Sequence, residues 1–144
     1  MSFKQFNQWL NSLPTGTKWF KIFYYFIIPL HMLSIVSAFI HFTLALQFYD
    51  SFWVYIILIF FDITDFIICI TTFIKAKGTL LRSYNQIIIF IYAAAIYMTI
   101  SDVLSYLATV IDNVDGNYSY ALVGAVIFVN INIPYFKKRK QFYY

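Results

Sequence analysis

"FFDITDFIIC", residues 60–69, puts two aspartates, Asp62 and Asp65, into a run that is otherwise almost wholly apolar. Read outward, the run extends over about 52–74, long enough to cross a bilayer at roughly 20 residues and 1.5 Å rise each. On insertion scales each aspartate near the centre of a span costs roughly 2.5–3.5 kcal/mol, so the pair costs about 5–7. The Leu, Ile, Val and Phe around them return about 4–8 kcal/mol at roughly 0.3–0.6 each. Such a helix is marginal alone, and its carboxylates are expected to face other helices. Tyr55, Leu58, Asp62, Asp65, Cys69 and Thr72 follow one another at intervals of three and four, a single helical face.

The whole chain supports a membrane setting. Of 144 residues, 62% are hydrophobic, 23% aromatic and only 11% charged. A soluble domain usually carries about a quarter charged residues. Four stretches have the length of spans, near 19–48, 52–74, 84–111 and 118–136. Pro29 lacks an N–H and predicts a kink in the first. The connections "QFYDS", "KAKGTLLRS" and "DNVDGN" are short, with turn signals at Gly78 and Asp115-Gly116. Short links between long helices predict an all-α, integral-membrane, up-down-up-down four-transmembrane-helix bundle forming one domain over 15–144. Residues 1–14, "MSFKQFNQWLNSLP", space Phe3, Phe6, Leu10 and Leu13 on one face. They read as a short amphipathic helix on the membrane surface, with Trp9 at headgroup depth. Pro14 to Gly16 end it, and Thr17 is placed to cap the first span.

Charge sets the orientation. Lys4, Lys18 and Lys21 precede the first span, Lys75, Lys77 and Arg82 separate the second from the third, and Lys137, Lys138, Arg139 and Lys140 follow the fourth. The other two connections carry only Asp50, Asp112 and Asp115. Positive residues stay inside, so both termini are expected in the cytoplasm. Richness in Ile, Phe, Tyr, Asn and Lys suggests AT-rich coding, hence a bacterial inner membrane. The basic residues flank apolar runs, which points to lipid and away from nucleic acid.

Other spans carry similar stripes: His31, Ser34, Ala38, His41 and Ala45 on the first, Ala95, Met98, Asp102, Ser105 and Thr109 on the third, Ala121, Gly124, Phe128 and Asn132 on the fourth. Small and polar residues in such stripes permit close helix approach and interhelical hydrogen bonds. Depth matches His31 with Asp65 in the inner half and His41 with Asp102 in the outer half. Asp62 and Asp65, three residues apart, repel as like charges, so at least one is expected to carry a proton at neutral pH unless a cation sits between them. Asp62, Asp65, Asp102, His31 and His41 therefore form the candidate intramembrane polar core. It serves either as interhelical glue or as an ion or proton path in a transporter, channel or accessory subunit. His31, His41, Asp65 and Cys69 are metal-ligand types, but no paired-ligand spacing supports a site, so neither metal nor cofactor is expected. One cysteine excludes an intrachain disulfide.

Enzymatic motifs are missing. There is no Gly-rich phosphate loop, HExxH helix or G-x-S-x-G elbow, and no Glu. Small multidrug-resistance transporters rely on an embedded Glu, and dual-topology fluoride channels need balanced positive charge; this chain has neither. The expected role is non-enzymatic, acting through helix packing or assembly with a membrane partner or a parallel homo-oligomer.

The tail "NINIPYFKKRKQFYY" has Asn132, Tyr135, Phe136, Lys138, Arg139 and Phe142 in the order N-x-x-Y-F-x-K-R-x-x-F. It resembles the ending of many uncharacterised small multi-pass bacterial membrane proteins, over the last tenth of the chain. The resemblance implies a membrane location and carries no activity; the N-terminal zinc ribbon of some such proteins is not present here. Physically, Tyr135 and Phe136 suit the interface, and Lys137, Lys138, Arg139 and Lys140 suit anionic headgroups at about 1 kcal/mol each.

Overall fold

In the computed structural model, residues 2–11, 18–76, 84–116 and 120–142 are described, and all their regular structure is helical. Helix α1 is Phe3–Asn11. Ser2 caps it: the Ser2 Oγ accepts the Gln5 N–H at 3.3 Å, and the Ser2 N–H donates to Gln5 Oε1 at 2.9 Å. This reciprocal box needs a hydroxyl and a long amide three residues apart, and "SFKQ" supplies both. Trp9's side chain, the Pro14–Gly16 stop and the Thr17 cap fall outside the described residues.

Helix α2 spans Lys18–Ala45, α3 Phe52–Ala76 and α4 Tyr84–Ile111, and these three are long and apolar enough to cross a membrane. Helix α5, Ala121–Lys138, is shorter and carries Asn130, Asn132, Pro134 and two terminal lysines. A short 3-10 turn, Lys140–Phe142, follows it. The link 77–83, with Lys77, Gly78 and Arg82, falls outside the described residues.

Two prolines, Pro29 and Pro134, lie within helices. Before Pro29, α2 widens into a π-helical turn over Phe23–Ile27, where the Ile28 N–H reaches back to the Phe23 carbonyl. The wider turn accommodates the backbone disruption that a mid-helix proline brings. Helix α5 continues through Pro134 to Lys138. Phe136 beyond the proline is fully buried, and that packing holds the last turn in place.

Helix α4 stops at Asn113, whose φ of 51° is left-handed. The Asn113 N–H bonds the Val110 carbonyl and the Val114 N–H bonds that of Thr109, a Schellman closure. Asn tolerates this conformation better than most residues, so Asn113 ends the helix ahead of the expected Asp115-Gly116 turn. Gly116 then lies so close to the Thr109 side chain that a Cβ there would clash with it.

Packing follows chain order, α2 on α3, α3 on α4 and α4 on α5. One ring cluster ties the two ends of that series together. Phe23 meets Phe90 of α4 edge-on at 5.6 Å, and Phe136 and Phe128 of α5 at 5.2 and 6.3 Å. The buried face of α3 is Tyr55, Leu58, Asp62, Asp65, Cys69, Thr72 and Ala76, the face expected from spacing. From Ile28 onward the buried residues of α2 are Ile28, Ile35, Phe42 and Ala45, leaving Ser34 and His41 exposed. The α2 stripe is thus rotated from the polar one toward bulky apolar side chains, which fill more of the contact with α3. On α4, Ile87, Phe90, Ile91 and Ala94 join Ala95 in the core. Gly124 faces outward with nothing within 4 Å of an added Cβ, so Ala125 takes its place in the core.

Candidate functional site

The heptad-like spacing of α3 sets Asp62, Asp65 and Cys69 successively along its buried face. Asp62 is 1% and Asp65 3% exposed. Isolated carboxylates at such depth are costly, and each here has a donor from a different helix. The Asp65 Oδ2 lies 2.7 Å from His31 Nε2 on α2. The Tyr97 hydroxyl of α4 donates to Asp62 Oδ1 at 2.6 Å. Helix α3 is therefore tied to both its neighbours at the level of its two carboxylates. The other oxygens, Asp62 Oδ2 and Asp65 Oδ1, are buried without a hydrogen-bond partner.

The His31 ring is wedged by Phe90 and Tyr97, each edge-on at 5.7 Å. These contacts fix its plane toward α3. Cys69, one turn beyond Asp65, is fully buried. One ligand atom each from His31, Asp65 and Cys69 lies within 4.8 Å of the others. His41 is not among them; it is exposed, beside the Phe42 ring. Asp102 is half-buried on α4. The structure thus brings Asp62, Asp65 and His31 together with Tyr97.

Two cavities touch the carboxylates. One of about 250 Å³ between α2 and α3 is lined by Asp62 with Ile35, Phe39, Phe66 and other apolar residues. One of about 200 Å³ between α3 and α4 is lined by Asp65 with Phe61, Ile68, Ile96 and Tyr97 among others. Walls of this kind favour acyl chains over hydrated ions.

Three of the unanticipated polar contacts between helices bear on this arrangement. Tyr97 is one; a tyrosine mid-span needs a partner for its hydroxyl, and that was the available signal. At the opposite end of α3, Asp112 accepts the Ser51 N–H at 2.8 Å, the Ser51 hydroxyl at 2.6 Å and the Tyr55 hydroxyl at 3.3 Å. Ser51 directly before an apolar run is an N-cap signal, but its charged partner is 61 residues away. Third, the Trp19 indole N–H donates at 2.9 Å to the Oδ1 of buried Asn132, joining the start of α2 to the end of α5. For Asp112→Ala we expect a loss of about 1–3 kcal/mol, the range for a charged acceptor with several donors. Asp112→Asn should keep part of it, as measured by unfolding of the detergent-solubilised chain.

The basic tail is partly committed to the protein. The Arg139 guanidinium lies 4.0 Å over the Tyr135 ring and donates to the Tyr135 carbonyl. Lys140 Nζ is 5.3 Å from the Tyr84 ring at the start of α4. Lys137 and Lys138 are exposed. Comparison with protein-family models, curated proteins and solved structures gives no match to this chain.

Proposed function

We propose that the chain is a non-enzymatic, four-span inner-membrane protein whose buried carboxylates lock its helices together, presenting a rigid apolar surface to lipid and to membrane partners. The observation that carries this reading is the pairing of Asp65 with His31 of α2 and of Asp62 with Tyr97 of α4. Each bond crosses a different interface of the same helix. The apolar walls of the adjoining cavities favour packing over conduction.

The arrangement of charge supports up-down-up-down threading with both termini cytoplasmic. Lys18 beside Trp19, Lys75 at the end of α3 and Lys140 beside Tyr84 belong to one end of the bundle. Asp112 with Ser51 belongs to the other. In this reading Lys137 and Lys138 meet anionic headgroups, assisted by Arg139 and Lys140. Helix α5 crosses as a fourth span held by Trp19 and the Phe23 cluster. Exposed Leu122, Val126 and Ile131 on α5 meet lipid, a membrane-protein partner or a parallel copy of the chain.

A second reading, proton- or cation-linked transport, draws on the unpartnered Asp62 Oδ2 and Asp65 Oδ1. Asp62→Asn and Asp65→Asn separate the two, because Asn hydrogen-bonds but does not titrate. In vesicles containing a pH-sensitive dye, we expect no flux above empty vesicles from the wild type, and folded, equally inert variants. A proton or cation flux that disappears in Asp62→Asn would overturn the packing role in favour of transport.

A further inference from the structure

We propose that His31, Asp65 and Cys69 form a three-ligand site for a divalent transition metal of the zinc class, set within the membrane-spanning helices. Their ligand atoms lie within 4.8 Å of one another, and they come from two helices already packed together. Asp65 and Cys69 are one turn apart on α3, so both point the same way. His31 is held toward them by the edges of Phe90 and Tyr97. The Asp65 Oδ1 is buried and has no hydrogen-bond partner, so the carboxylate has an unused lone pair at the site.

Ligand chemistry selects the ion. Imidazole, carboxylate and thiolate together suit zinc, cobalt or ferrous iron, whereas magnesium and calcium prefer all-oxygen shells. Three protein ligands leave a fourth tetrahedral position open. Charge balance favours occupancy: thiolate and carboxylate carry two negative charges, and a divalent ion cancels both where charge is costly. Binding releases the thiol proton to solvent. Metal–ligand bonds of about 2.0–2.3 Å put tetrahedral ligands roughly 3.4 Å apart. The 2.7 Å His31–Asp65 contact therefore opens slightly as the ion enters, or the ion takes Oδ1. At 1.5 Å per residue the two α3 ligands lie roughly 9 and 15 Å along the helix from Lys75, so its basic end is the nearer one.

The site shares His31 and Asp65 with the packing role and leaves out Asp62, so a cobalt spectrum reads metal binding separately from helix packing. The test is Co²⁺ titration of the full chain, tag-free and reduced, in mild detergent. We expect one Co²⁺ per chain, tetrahedral visible bands and a near-ultraviolet thiolate-to-cobalt band, all erased by Zn²⁺. Cys69→Ser should remove the thiolate band, and the near-isosteric Asp65→Asn should weaken binding at least about tenfold. Asp62→Asn and His41→Gln should leave both unchanged. A wild-type protein without the thiolate band overturns the proposal, whatever the variants do. So does binding that survives Cys69→Ser and Asp65→Asn at full strength or that disappears with His41→Gln.

Discussion

Replacing His31 with leucine destabilises the folded chain by about 3–5 kcal/mol, because it leaves the Asp65 carboxylate buried and stripped of its partner. Asp65 is 3% exposed, and its 2.7 Å contact with His31 is the bond that joins it to α2. Replacing both residues with leucine should restore most of the loss, since a well-packed apolar pair avoids burying any charge. The measurement is SDS-driven unfolding of the detergent-solubilised chain, followed by far-ultraviolet circular dichroism, on both single variants and the double. Magnitude separates two states of the pair. An ordinary interhelical hydrogen bond in a membrane protein averages only about 0.6 kcal/mol. A loss that small, with no recovery in the double variant, would mean that no charge is buried there.

Phe23→Ala carries a comparable cost, about 3–5 kcal/mol, from lost contacts and the cavity left behind. Phe23 is fully buried, sits in the π turn of α2 and touches rings from both α4 and α5. Removing it should loosen α5 in particular, making its amides exchange faster with deuterium than those of α3. Leu30→Ala, on an outward position of the same helix, is the reference and should cost far less. Equal losses at the two positions would show that α5 is not docked on α2 through this cluster.

Much of α3 was legible in advance. Its buried residues recur at intervals of three and four, and a costly carboxylate can only face protein, so composition and period agree on one face. The His31–Asp65 contact followed from that face plus chain direction, because short links make neighbouring helices antiparallel and thereby align their depths. Helix α2 was harder. Its small and polar residues form one stripe and its bulky residues another, rotated from it, and both share Ala45. Contact with α3 favoured the bulky one, turning Ser34 and His41 outward. The reach of Tyr97, Asp112 and Trp19 was not legible, because each bond depends on rotation and register between helices distant in sequence.

Composition and apolar run length determined by themselves that this is a helical chain with segments long and apolar enough to cross a membrane. They also determined that its two central carboxylates must be covered, since these are matters of solvation summed over many residues. Depth already matched His31 to Asp65, but the partner of Asp62 and the groups around the pair were decided only by tertiary structure. Hydrogen bonds act within about 3 Å, so a rotation of one helix by a single residue exchanges one partner for another. That is how Tyr97 came to Asp62, and Cys69 to the side of both His31 and Asp65.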